Sequence, residues 1–239
     1  MPVNKHIFLP GNVRSGTTWI TKWLASHPDI ACCHNIYLLN HVKRMLNPRA
    51  DAASYVRTQD VRVFMDSVFN HHSLGREIML ESSPGDISYP LTDNKNPERS
   101  SEPHISHLIH SIYENAYVLI LYRDGKNWVH SLMNLPWKSY HHEIEKMTEL
   151  WIFKMRTLLA PTPRNTLHIK YEDLLYNNAY RDILSFLELE HFPLVAWEKS
   201  YGTRYSSYDP DRWKSLSKEQ IKIMERMNPM LEKAGYETI

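Results

Sequence analysis

Residues Gly11-Asn12-Val13-Arg14-Ser15-Gly16-Thr17-Thr18 place two glycines five positions apart and end on two hydroxyl side chains. Such a loop lets successive backbone N–H groups and the positive end of the following helix converge on one anion. A loop that serves Mg²⁺-ATP has lysine after the second glycine and then a hydroxyl for the metal; here Thr17 takes the lysine position and the strong cation is Arg14. The spacing therefore predicts a phosphate cradle, and the missing lysine argues against ATP. A second chemical signal is Arg123-Asp124-Gly125, with Ser131 about two turns into the helix that follows. An arginine at a strand edge and a hydroxyl on the next helix can grip one phosphate from two sides, a charge-assisted contact worth about 1.5–3 kcal/mol. Taken alone, the same tripeptide also fits a turn with a local ion pair.

These residues need strand tips and helix starts to hold them. Short apolar runs at 6–9, 30–33, 77–80, 117–122 and 166–170 read as strands. The run Tyr117-Val118-Leu119-Ile120-Leu121-Tyr122 is apolar throughout, as in a sheet covered on both faces, and is expected to be central. After the first loop, Trp19, Ile20, Trp23 and Leu24 share one helical face until His27-Pro28. Further helices are expected over 53–70, 103–112, 126–135, 143–159, 180–187 and 218–234, the last ending at Gly235. The alternation predicts a three-layer α/β/α domain with a central parallel sheet, spanning 1–239 as a single unit. The segment 82–102, with three prolines and no periodicity, reads equally as a lid or as a disordered insert. Residues 206–217 form a second irregular stretch, either folding over a ligand or simply connecting.

The 28 basic and 27 acidic residues leave a formal charge of +1, which excludes a global field for nucleic acid and leaves anion binding to local placement of arginines. The two cysteines, Cys32 and Cys33, are adjacent and poorly placed for an ordinary disulfide, so free thiols are expected. Neither a long apolar span nor a leader is visible, so a soluble cytoplasmic protein without membrane contact is expected. The sequence carries no signal for oligomeric state.

Together, Arg14-Ser15-Gly16-Thr17-Thr18-Trp19, Arg123 with Ser131, and Lys170-Tyr171-Glu172-Asp173-Leu174 resemble the P-loop-type sulfotransferases that use 3′-phosphoadenosine 5′-phosphosulfate (PAPS). In detail, His27-Pro28-Asp29-Ile30 and Pro229-Met230-Leu231-Glu232-Lys233-Ala234-Gly235-Tyr236 are similar to the tyrosylprotein branch and its bacterial relatives. The resemblance implies that residues 14–19 bind the 5′-phosphosulfate and that Arg123 and Ser131 bind the 3′-phosphate. It also implies Tyr171 near the adenine, Trp19 against the nucleotide or in the core, and Arg212-Trp213-Lys214 either closing on the nucleotide or merely at the surface. The implied reaction needs PAPS as donor, PAP as product and no metal.

Two departures stand out. The branch has a Gly-Glu-Glu run after its second strand, where this chain has Cys33-His34-Asn35; His34 is the candidate base, with Glu81 or a histidine farther along as alternatives. Where relatives often have a lysine before a Thr-Pro or Asp-Pro pair, this chain has Ser82 in Glu81-Ser82-Ser83-Pro84; if that lysine steadies the sulfuryl oxygens, Ser82, Ser83 or a cation from elsewhere is expected to do so here. His104, His107 and His110 recur along one helical face without metal-type partners and read as solvated. Trp137, Tyr140, His141 and His142 fit either an acceptor pocket or the core. The expectation is sulfuryl transfer from PAPS, with Arg14 and His34 as catalytic groups, to a hydroxyl or amine of a small-molecule acceptor. The alternatives are a P-loop kinase of small molecules and a non-catalytic PAP-binding protein.

Overall fold

The structure is a computed structural model that describes residues 3–11, 14–34, 38–45, 58–82, 105–134, 143–176, 179–190 and 208–239. Five strands, β1 (Lys5–Phe8), β2 (Ile30–His34), β3 (Ile78–Ser82), β4 (Tyr117–Tyr122) and β5 (Thr166–Lys170), pair in parallel in the order β2-β3-β1-β4-β5. Side chains alternate between faces because successive Cβ atoms point to opposite sides of a strand. Ile7, Leu119 and Leu121 pack with Trp23 and Leu24 of α1 (Thr17–Ala25), whereas Phe8, Val118 and Ile120 join the opposite core. That second core holds α2 (Leu38–Met45), α3 (Thr58–His72), α4 (Ile105–Ile112), α5 (Gly125–Met133) and α6 (Ile144–Leu158). On the first face, α7 (Tyr171–Tyr176) and α8 (Ala179–Phe186) complete the layer. The three-layer α/β/α architecture read from the sequence is the observed one.

The strand at the centre is β1, and β4 lies next to it, covered by β1 and β5. An interior position is enough to make β4 apolar on both faces. The final helix is not continuous. Helix Lys218–Met224 passes through a 3₁₀ turn, Glu225–Met227, into helix Asn228–Lys233, because Pro229 lacks the N–H that an unbroken helix would use. Helices α2 and α7 were not anticipated; α7 has six residues, too few to show a helical period, and carries Glu172 and Asp173 in its first turn. Between β3 and β4 the strand order turns back across β1, and the chain leaves β1 and β4 at the same carboxyl edge. Crevices at such a reversal are where open α/β sheets take ligands.

Away from this edge, β1 buries His6 against Tyr113 and Phe69, with ring centroids 4.2 and 5.5 Å away. Tyr113 donates to Asp66 Oδ1 at 2.6 Å, and His6 Nε2 lies 4.0 Å from the same oxygen. Burial lowers the imidazole to about 4, Asp66 opposing and Arg62 assisting. The neutral form is the one that folds, so its contribution is complete above the unfolded value of about 6.5 and disappears as pH falls through 4. Urea unfolding at pH 7 and pH 4 should show His6→Phe recovering up to about 3 kcal/mol of the acid-side loss.

Candidate active site

After β1 the chain passes Gly11, which bridges to Leu121 of β4. A Cβ at Gly11 would stand 2.7 Å from Thr17 Cγ2, so only glycine lets the loop return this close to its own helix. Arg14 takes φ 66° and Gly16 φ 89°, two left-handed residues that turn the chain into α1. The Gly16 carbonyl then accepts from the Trp19 and Ile20 N–H groups at 3.0 and 3.2 Å, while a Cβ on Gly16 would meet the Tyr171 ring at 2.5 Å. Tyr171 thus lies flush on the loop. Ser15 is fully buried and its Oγ has no hydrogen-bond partner among the described residues. An orphaned buried hydroxyl costs about 1–3 kcal/mol, and a phosphate oxygen in the loop supplies the acceptor it needs. The loop chemistry fits an anionic phosphosulfate.

At the tip of β4, Trp151 Nε1 donates to the Arg123 carbonyl at 3.2 Å, which fixes the backbone there. The Arg123 guanidinium donates to the Arg14 carbonyl at 3.2 Å and lies over Tyr171 and Tyr208, 4.8 and 5.3 Å from the ring centroids. Arg123 Nε is buried without a hydrogen-bond partner among the described residues. In return, Arg14 Nε donates to Ser131 Oγ at 3.0 Å. The two segments singled out in the sequence are therefore bonded to each other, and they bound a cleft of about 500 Å³ that Arg212 also lines.

The cleft wall on α5 is a polar stripe. Asn127, His130, Ser131 and Asn134, spaced i, i+3, i+4 and i+7, all face the cleft, a pattern visible in the sequence of which only Ser131 was recognised. The helix is started by Asp124, whose side chain accepts from the Lys126 N–H at 2.8 Å. Burial raises the Asp124 carboxyl to about 6 against the pull of Lys126, whose Nζ lies 3.4 Å away. Tyr208 and Asp209, in the irregular 206–217 stretch that the sequence offers as a ligand cover or a connector, also line the cleft.

Glu172 anchors that segment. Its Oε1 accepts from Tyr208 O–H at 3.1 Å and from the Asp124 N–H at 3.3 Å; its Oε2 accepts from Tyr236 O–H at 2.9 Å. Burial, then the Glu172 charge, push both phenols far above their ordinary range. Asn127 adds a bond to the Pro210 carbonyl at 2.9 Å. Glu172→Gln leaves one oxygen to serve three donors. Hydrogen exchange over 208–215 should rise by about tenfold, because charge-assisted bonds of about 1.5–3 kcal/mol are weakened.

Arg14, Arg123, Ser131, Tyr171 and Arg212 all line the cleft. Ser15, Gly16 and Thr17 shape the loop, and Thr18 is exposed. Trp19 is buried in the core edge-to-face with Tyr180, at 5.4 Å, and does not line the cleft; of its two readings, packing is the one this geometry fits. Trp213 is likewise outside the cleft lining, with Lys126 Nζ 5.5 Å from its ring centroid. His34 closes β2 in register with Ser82, and its side chain lies outside the described atoms. Ser82 Oγ shares a hydrogen bond with Thr21 Oγ1 at 2.7 Å, and Thr21 also donates to the Thr17 carbonyl at 2.8 Å. The hydroxyl at the expected lysine position thus braces β3 against α1. Glu81, one residue earlier, is fully buried opposite Cys33.

His107 and His110 contact the carbonyls of Pro161 and Glu114 at 3.0 and 3.1 Å. Among the described residues no group of three or more His, Cys, Asp or Glu is arranged to hold a metal ion. No helix there is long and apolar enough to cross a membrane. Trp137, Tyr140, His141, His142, His104 and most of the 82–102 segment lie outside the described residues.

The parallel sheet, the glycine-framed loop after β1 and the arginine-lined cleft define an α/β protein of the P-loop type with an anion site at the strand tips. The model of the Sulfotransferase family matches residues 6–193, and the chain belongs to that family. Its fold is similar to that of the sulfotransferase domain from the curacin biosynthetic pathway (14% identity, TM-score 0.58, 100% of both chains covered). It is also similar to the sulfotransferase domain of the Synechococcus PCC 7002 olefin synthase (16%, 0.57, covering 100% of this chain and 97% of that one). A third similar structure is mouse sulfotransferase SULT7A1 complexed with PAP (12%, 0.54, covering 96% and 84%). No curated protein matches the chain at a significant level.

Proposed function

We propose that this protein transfers a sulfuryl group from PAPS to a hydroxyl or amine of a small-molecule acceptor in the cytoplasm. The observation that carries the reading is the direct bonding of Arg123 to the Arg14 carbonyl and of Arg14 to Ser131. It joins the loop and the α5 stripe into one site for a ligand with anions at two ends. Residues 14–18 would hold the 5′-phosphosulfate, Arg123 and Ser131 the 3′-phosphate, and Tyr171 the base. As the acceptor attacks sulfur, the bond from sulfur to the bridging oxygen breaks and charge grows on the departing phosphate. Fixed N–H dipoles and the permanently protonated Arg14 meet that charge where it develops. The acceptor proton goes to a base at the β2–β3 edge, where His34 is the assigned group and Glu81 the alternative. The hydrogen bond between Ser82 and Thr21 favours a second reading, a protein that binds PAP without turnover, because no lysine charge is present at that position.

Calorimetry with adenosine 3′,5′-bisphosphate, ADP and Mg²⁺-ATP tests the donor. Preferred binding of the bisphosphate is expected; preference for Mg²⁺-ATP would reject the reading in favour of a kinase. Sulfuryl transfer to a panel of phenols and amines then separates catalysis from binding alone.

A further inference from the structure

The α5 stripe presents one ionisable side chain to the cleft, His130, immediately before Ser131. Arg123 reaches the same cleft from the tip of β4, Arg14 from the loop, and Arg212 with Asp209 from the segment ahead of the C-terminal helices. Among the described residues, the side chains within hydrogen-bond reach of the ring are neutral, one at the end of α5 and one on the segment ahead of the C-terminal helices. Asn134 Nδ2 lies 3.3 Å from His130 Nε2, and Ser215 Oγ lies 3.4 Å from the same atom. With an amide N–H pointed at it, Nε2 acts as an acceptor, so the neutral ring carries its hydrogen on Nδ1. Asn134 also donates to the His130 carbonyl at 2.8 Å, which holds the amide in place.

We propose that His130 is a further binding residue for the 3′-phosphate, and that it takes up a proton from solvent as that phosphate enters. The proposal rests on the PAPS reading of the cleft. Without an anion, the surroundings oppose a charged ring. Burial lowers its proton affinity first, then Arg212, then Arg123, with Asp209 alone pulling the other way. A phosphate between Arg123 and Ser131 reverses the balance, because it brings up to two negative charges to the stripe and neutralises the field of the arginines. The added hydrogen sits on Nε2, where Ser215 Oγ is the acceptor in reach while Asn134 keeps its bond to the His130 carbonyl, and the Nδ1–H already present becomes a charge-assisted donor for the phosphate. The exchange balances simply: buffer acid gives one proton, and the ring keeps it while the nucleotide is bound.

The sign follows from linkage. The free ring titrates below its ordinary value and the bound ring above it, so affinity is greatest in acid and falls, by at most about tenfold per pH unit, between those two values. The phosphate works in the opposite direction: its own second ionisation near pH 6 releases protons on binding below that pH. Above about pH 7 the phosphate is already a dianion, so net uptake there reports the ring.

Titrations of adenosine 3′,5′-bisphosphate at pH 7 and pH 8.5, in buffers of different ionisation enthalpy, read the proton count directly. A net uptake, larger at pH 7 than at pH 8.5, is expected for the protein as it stands, and none for AMP, which lacks the 3′-phosphate. His130→Gln should abolish the uptake and weaken bisphosphate binding about tenfold at pH 6, with a smaller effect at pH 8.5, as expected for loss of one charge-assisted bond. His130→Lys keeps a fixed charge and should bind tightly with a flat pH dependence. A purely structural histidine would move neither proton count nor pH slope. Tight bisphosphate binding without proton uptake, or uptake that survives in His130→Gln, overturns this assignment and leaves the PAPS reading intact. If the bisphosphate binds no better than AMP, the PAPS reading itself falls and takes the His130 role with it.

Discussion

Replacing Arg123 by alanine should weaken adenosine 3′,5′-bisphosphate binding by about 10²–10³-fold, since charge-assisted bonds are each worth about 1.5–3 kcal/mol and a guanidinium makes them in pairs. The side chain is ordered before any ligand arrives. One N–H group is bonded to the Arg14 carbonyl, the plane rests on Tyr171 and Tyr208, and Nε is left buried with its donor unused among the described residues. Little rotamer freedom remains to be lost on binding. Lysine should not restore affinity, because an ammonium cannot hold the Arg14 carbonyl, stack on two rings and fork around a phosphate at once. The fold should survive: the bond from Trp151 goes to the Arg123 carbonyl, which alanine keeps. Calorimetry together with thermal melting checks both halves. An Arg123→Ala protein that melts normally and binds the bisphosphate as tightly as the parent would remove Arg123 from the site.

Arg14→Ala should slow sulfuryl transfer by about 10²–10³-fold, the usual cost of one donor to a developing oxyanion. The effect should fall mainly on turnover. Arg14 supports donor binding partly through its carbonyl, and alanine retains that carbonyl. Left-handed backbone at φ 66° strains arginine and alanine alike, by roughly 1–2 kcal/mol, through the Cβ they share. Arg14→Gly removes that strain and should be as slow as Arg14→Ala, which assigns the loss to the guanidinium. Single-turnover transfer of a radiolabelled sulfuryl group to a phenol, with donor saturating, measures the rate apart from affinity. An Arg14→Gly protein with the parent rate would show that the loop amides suffice.

Much of the fold was legible because a parallel sheet writes its strands as short apolar runs, and all five appear at the expected places. The sheet order was not legible, since periodicity says which face is buried and nothing about which strand is adjacent. β4 looked central and is the neighbour of the centre. In the site, Arg14, Arg123 and Ser131 were readable from residue type and spacing, whereas their mutual hydrogen bonds join positions more than a hundred residues apart. His130 and Asn134 carried a usable signal, the i, i+3, i+4, i+7 recurrence of polar groups on α5, masked by attention to a single serine. The 206–217 stretch is legible as a ligand cover or a connector, but not Tyr208 and Asp209 individually, because an irregular segment acquires its position from distant anchors such as Glu172. Trp19 shows the opposite limit: a residue inside a functional motif whose packing is that of a core tryptophan.

The adjacent cysteines have a practical corollary. Cys32 packs with the cluster on the α1 side of the sheet and Cys33 with the cluster on the α3 side, so neighbours in sequence are separated by the thickness of a strand. Burial pushes both thiols up to about 12, with the Glu81 carboxylate adding to the effect. The thiolate, the form that maleimide reagents attack, is disfavoured in both at neutral pH. A fluorophore can therefore be attached to a cysteine introduced near Ser215 with the native pair left in place, giving a direct optical record of how that segment responds to nucleotide.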